Sequence, residues 1–155
     1  MKIHGNLDLR GTANFAPARA RLTTSNFTHT TTQTIVPEIG QTFPGRVDGT
    51  NSFRVTVSLN FGAASGGSDT LVSLVAHVGT AGTIADAAAF AWEHVVHGTL
   101  ETTMSITFML VGTNFPGNEN NVRLSISTDM LAGTSVTTRE LSGNSLAQTI
   151  IELLP

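Results

Sequence analysis

The chain of 155 residues has no cysteine and no tyrosine, one tryptophan (Trp92) and one lysine (Lys2). Without thiols there is no disulfide, no thiolate metal site and no cysteine nucleophile. Stability must then come from a packed core or from association between copies. Charged residues make up 12% of the chain, about half the usual share, and the formal net charge is −3. The seven arginines are scattered, and only Arg10, Arg19 and Arg21 fall near one another. A nucleic-acid interface presents a basic patch or stripe, so no nucleic acid is expected as a partner. The start, Met1 to Asp8, has no apolar h-region of a signal peptide, and no apolar run approaches the ~20 residues of a membrane helix. The expectation is a protein made in a cytoplasm, with no membrane partner.

Apolar residues make up 40%, and threonine fills the place that charge leaves, with 24 residues beside 15 glycines. A chain this apolar and this long forms one domain with a real core. Threonine is β-branched, favours strands and keeps a surface polar without charge. Such a surface suits packing against copies of itself or a larger assembly, although many all-β domains share it.

Phe53 to Phe61 alternates apolar and polar without an error: Phe53, Val55, Val57, Leu59 and Phe61 against Arg54, Thr56, Ser58 and Asn60. Successive side chains on a strand point to opposite faces, so this is a ribbon with one dry and one wet face. Similar ribbons run over Thr70–Val78, Met104–Val111 and Val122–Ser127. Ala63 to Ser68 and Asn114 to Asn118 read as loops. Ala85 to Ala89 reads as a loop or a turn of helix, leading into a strand from about Phe90 to Leu100. Ser135–Leu141 and Leu146–Leu154 supply further strands. With no helices to carry crossovers, about eight strands with short loops predict an antiparallel β-sandwich. The first 45 residues, rich in threonine between Arg21 and Val36 and broken at Gly11 and Pro17, read as an extended N-terminal arm or as a sparsely buried strand. Two units are therefore expected: an attachment segment over 1–45 and a sandwich over 46–155.

Candidate chemistry is sparse. His94 and His97 with Glu93 and Glu101 form the one cluster of titratable residues. On a strand the odd offset between the histidines puts them on opposite faces, which argues against a shared metal. His4, His29 and His77 stand alone. No Gly-x-Ser-x-Gly elbow or phosphate loop occurs. Asp8, Asp48, Asp69, Asp86 and Asp129 are spread out, unlike a calcium loop. Asn26-Phe27-Thr28 matches the glycosylation pattern, a chance match for a chain without a leader. Trp92 is expected as a core or interface anchor. No catalytic, cofactor-binding or metal-ligating residue is assigned, no cofactor is expected, and the chain is not read as an enzyme.

The second half resembles small bacteriophage structural domains with a TNF-like jelly roll. The resemblance rests on Ala91-Trp92-Glu93, on the strand Met104–Val111, on the Asn-rich loop Asn118–Asn121 with its return strand to Asp129, and on the last strand Thr149–Leu153. The opening Gly5-Asn6-Leu7-Asp8-Leu9 is similar to the starts of fibre and spike proteins. This resemblance implies a homotrimer on the virion, decorating the head or forming part of a fibre, with the major capsid protein or other virion proteins as partners. It carries no catalytic residues. The alternative is a carbohydrate- or receptor-binding module, with a glycan held near Asn114–Asn121.

Overall fold

A computed structural model describes residues 17–23, 25–44, 47, 51–111, 121–132, 135–138 and 147–154. Their regular structure is all strand: β1 (Ala18–Arg21), β2 (Phe27–His29), β3 (Thr34–Ile35), β4 (Gln41–Thr42), β5 (Ser52–Phe61), β6 (Thr70–Gly79), β7 (Ala87–Val96), β8 (Thr102–Val111), β9 (Arg123–Ala132), β10 (Val136–Thr138) and β11 (Gln148–Leu154). One sheet runs β1–β11–β5–β10–β2, with β8 on the far edge of β5. β11 and β10 pair successive stretches of one edge of β5, and β1 and β2 lie outside them. In the other sheet β3 and β4 share one edge of β9, followed by β6 and β7. β1/β2, β3/β4 and β10/β11 are therefore each one interrupted strand. The eleven segments fill eight positions, four in each sheet, all antiparallel. This is an antiparallel β-sandwich, as the ribbons predict, of the jelly-roll kind that the resemblance implies.

The register of β5 explains the fold. Phe53, Val55, Val57, Leu59 and Phe61 are 0% exposed. Their dry face meets Val72, Leu74 and Ala76 of β6 and Leu124, Ile126 and Met130 of β9, members of one core. Each such side chain contributes about 1.5–3 kcal/mol when fully removed from water. A slip of one residue would turn the whole row to solvent, which is why alternation fixes pairing.

The stretch expected as an arm behaves differently where it is described. Residues 17–23 and 25–44 supply β1 to β4, which join both sheets, and Leu22, Val36, Ile39 and Phe43 lie in the core. Backbone amides of Leu22, Val36 and Phe43 donate to the carbonyls of Ala147, Ile126 and Val122. Local sequence hid this because few positions there are apolar, while distant strands supply the hydrogen-bond partners. Gly5–Leu9, His4, Asp8, Arg10 and Asp48 lie outside the described residues, as does the loop from Asn114 through Asn120.

β7 also differs from expectation. Its strand starts at Ala87, and Ala87 and Ala88 pair with Val78 and His77 across a bulge in the ladder. Pairing with β6 overrides the helix preference of three alanines. The strand ends at Val96, before Gly98. A Cβ on Gly98 would overlap the Gly67 carbonyl and the Ser68 amide, so the β7–β8 and β5–β6 turns lie backbone against backbone. Asp69 accepts from the Gly98 amide at 3.1 Å and closes this corner.

Phe53→Ala and Phe61→Ala should each lower the unfolding free energy by about 3–5 kcal/mol in urea titrations. A loss below about 1 kcal/mol for either would show that the core is centred elsewhere.

Candidate functional site

The outer face of the first sheet is a polar ladder. Thr56 and Thr107 hydroxyls lie 3.0 Å apart, as do those of Ser58 and Ser105. Arg54 Nε donates to Glu152 Oε2 at 2.7 Å. That hydrogen bond and charge hold Glu152 below and Arg54 above their usual ranges. The pair is half-open to solvent, so it fixes position more than it stabilises. Arg19 and Arg21 pair in register with Ile150 and Gln148 on the β1 side of this face, and neither has an ion pair among the described residues. Apolar side chains interrupt the ladder: Met109 is 61% exposed and Val111 48%. The wet face of the Phe53 ribbon is therefore uncharged hydroxyls bordered by arginines and exposed apolar groups.

The flank formed by β7 and β8 is open. Each strand is ten residues long and pairs along one edge alone among the described residues. Between them lies an aromatic seam. Phe90 stacks on Phe108 with centroids 4.5 Å apart, and Trp92 lies 6.1 Å from Phe108. Trp92 Nε1 donates to Met104 Sδ at 3.0 Å. Phe90, Trp92 and Ile106 face the core yet stay partly exposed. Trp92 is thus an edge anchor, in line with its sequence reading. Glu93 and Val95 stand on the outer face beside the seam, Val95 47% exposed.

Two histidines enter the interior, and sequence reasoning singled out one of them. His94 faces inward opposite Val72 and stacks on Phe61 at 5.3 Å. His97 lies past the strand end, 3.3 Å from Asp69 Oδ1. The Gly98 amide, then His97, holds the Asp69 carboxyl below its usual range. His97 stands outside β7, so the alternation expected of a strand running to Leu100 does not reach it, and among the described residues no group of three His, Cys, Asp or Glu is gathered. His29, which stood alone in the sequence, clamps the sheets together. Its Nδ1 lies 2.8 Å from Thr128 Oγ1 on β9 and its Nε2 lies 2.6 Å from Thr138 Oγ1 on β10. Phe27 and Phe61 pack against its ring. Burial lowers its pKa from 6.5 to about 4. Burial, then the nearby His97, lowers that of His94 as well.

The fold also gathers His77, Ser127 and Gln33, which no sequence signal linked. His77 Nε2 lies 2.7 Å from Ser127 Oγ, and Gln33 Nε2 donates to the same oxygen at 2.9 Å. His77 Nδ1 lies 3.1 Å from the Asp86 carbonyl. One assignment satisfies every group: Nδ1–H donates to the carbonyl, Ser127 donates to Nε2 and Gln33 donates to Ser127. Serine beside histidine is the start of a nucleophile pair. Here Ser127 is 0% exposed and the third partner is a backbone carbonyl, so the arrangement braces the sheet. Asn26 of the glycosylation-like triplet is exposed just before β2.

No family model matches the chain, and no curated protein matches it. Among solved structures it is similar to the Eiger TNF of S. frugiperda, with a TM-score of 0.55 at 12% identity over 91% of this chain and 94% of that one. It is also similar to an arabinose-bound α-L-arabinofuranosidase, with a TM-score of 0.40 at 14% identity over 87% of this chain and 19% of that one. A chain of infectious bursal disease virus, Gt strain, gives 0.41 at 15% identity over 90% of this chain and 42% of that one. This chain thus spans less than half of the latter two. At such identity the first likeness is one of fold, the jelly-roll sandwich.

Burial of His29 makes folding sensitive to acid. Between pH 6.5 and about 4 the unfolded chain binds a proton that folded His29 refuses. Stability therefore falls as pH drops through that window, by about 3 kcal/mol in all, and His94 adds in the same direction. His29→Gln, which keeps polar contacts without titrating, should flatten most of this slope in urea titrations at pH 7, 5.5 and 4. An unchanged slope would place the acid sensitivity on other groups.

Proposed function

We propose that the chain is a virion structural protein, a jelly-roll building block that works by self-assembly as a homotrimer and attaches to capsid or other virion proteins. The observation that carries this reading is the open flank, where a half-exposed aromatic seam lies between two long strand edges with no partner among the described residues. Exposed apolar surface of this kind marks a contact site, and uncovered strand edges invite pairing with other chains. The outer face of the first sheet offers a complementary surface: hydroxyls that cost little to desolvate, Met109 and Val111, and arginines opposite in charge to Glu93 beside the seam.

A contact between two different patches is head-to-tail, and such contacts close into rings when the rotation allows. Three copies is the number implied by the resemblance to phage structural domains. On this reading the chain has no reaction to perform, and residues 1–16 are the candidate attachment segment.

Light scattering on the purified chain should give three chain masses over the micromolar range. Arg21→Glu should weaken the trimer at low salt by about tenfold, and adding Glu93→Arg should restore it. Immunogold labelling should decorate particles released by the source culture. A stable monomer, or a trimer indifferent to both charge changes, would refute this contact. Unlabelled particles would remove the virion role.

A further inference from the structure

A cavity of about 240 Å³ opens on the outer face of the second sheet, away from the hydroxyl ladder and the aromatic seam. It lies between the β3–β4 turn, the start of β9 and the β6–β7 turn. Arg123 supplies its one cationic group, and among the described residues that guanidinium has no carboxylate partner. Its position is prepared. Gly82, in the left-handed region at φ +70, lies against the Arg123 side chain, and a Cβ there would stand 3.5 Å from Cδ and 3.7 Å from Nε. The Gly82 turn is itself held by Asp86, whose carboxylate accepts from the Gly82 amide at 2.7 Å and the Ala81 amide at 3.2 Å. A guanidinium laid over a fixed turn loses little entropy on meeting a carboxylate.

The cavity floor adds a hydroxyl. Ser125 is 3% exposed and lines the cavity. Gly40 keeps the space beside it open, since a Cβ there would sit 3.9 Å from Ser125 Oγ and 3.2 Å from the Leu124 carbonyl. Ile35 and Pro37 add apolar wall. Glu38 also borders the space with its negative charge, and its Oε2 is held by the amide and hydroxyl of Thr23 at 2.7 and 2.9 Å.

We propose that this cavity binds a carboxylate-bearing monosaccharide, a sialic or uronic acid, with Arg123 pairing the carboxylate and Ser125 bonding a ring hydroxyl. The volume lies below the roughly 300–1,000 Å³ of drug-sized sites, as a single sugar ring requires. An apolar wall beside a fixed cation and a serine hydroxyl suits a ring with one apolar face, one charge and several hydroxyls. Such a site would add glycan contact to a protein otherwise read as a building block, and it is independent of the trimer.

NMR titration of the isotope-labelled chain with N-acetylneuraminic acid, glucuronic acid, galactose and N-acetylglutamate tests the site. The acidic sugars should bind with millimolar affinity and shift amides around residues 35–40, 82 and 123–125, with galactose at least tenfold weaker. Arg123→Gln should lose at least tenfold while leaving the rest of the spectrum unchanged. Ser125→Ala should lose severalfold, and it decides the matter if the first variant misfolds. Equal binding of galactose, or no loss in either variant, would overturn the proposal. N-acetylglutamate binding as tightly as the sugars would also overturn it, by reassigning the site to acidic peptides.

Discussion

Burial of one face of β5 is the constraint on which the rest depends. Five consecutive inward residues, Phe53 through Phe61, are withdrawn completely from water. A single sheet leaves both its faces wet, so this row demands a second sheet opposite it. β6 and β9 answer with their own alternation, and the remaining strands extend the two sheets until the row is covered. Along one flank interrupted strands from both ends of the chain extend the cover, with Ala18 and Phe27 still partly exposed. Along the other it stops at β7 and β8, where Phe90, Trp92 and Ile106 remain partly exposed. Core and candidate contact surface are thus continuous, and the second is the unfinished edge of the first.

Polar groups within the sandwich are placed by the same economy. His29 is tolerated because hydroxyls from both sheets reach its two ring nitrogens. Its neutrality follows from burial, so the clamp that joins the sheets also makes the fold weaken in acid. His77 and Ser127 show the same rule on the outer side of the second sheet, where each donor meets an acceptor. Neither histidine needs a reaction to explain its position.

Scarcity of charge gives the few charges present more meaning. Arg54 and Glu152 neutralise one another across two strands. Arg19 and Arg21 border the face proposed to meet another copy, whereas Arg123, without an ion pair among the described residues, borders a cavity. A surface dominated by threonine and serine can be covered by another protein or by a sugar at small desolvation cost. Assembly and glycan contact therefore call for the same background, and isolated arginines decide which occurs where.

Periodicity alone determined that the chain is an antiparallel sandwich, because a two-residue period is a local property that each ribbon carries within itself. It also determined the dry face of Phe53–Phe61. The strands formed by residues 18–42 were legible only as one of two readings, arm or sparsely buried strand, since their apolar residues are widely spaced and their hydrogen-bond partners lie about a hundred residues away. Ala87–Ala89 misled for a related reason: intrinsic preference spoke for helix, and the ladder with β6 prevailed. The clamp at His29, the brace at His77 and the cavity at Arg123 exist through contacts between strands distant in sequence. Only the tertiary structure could decide them, because a lone histidine, serine or arginine has no local pattern, and its chemistry is set by what the fold brings beside it.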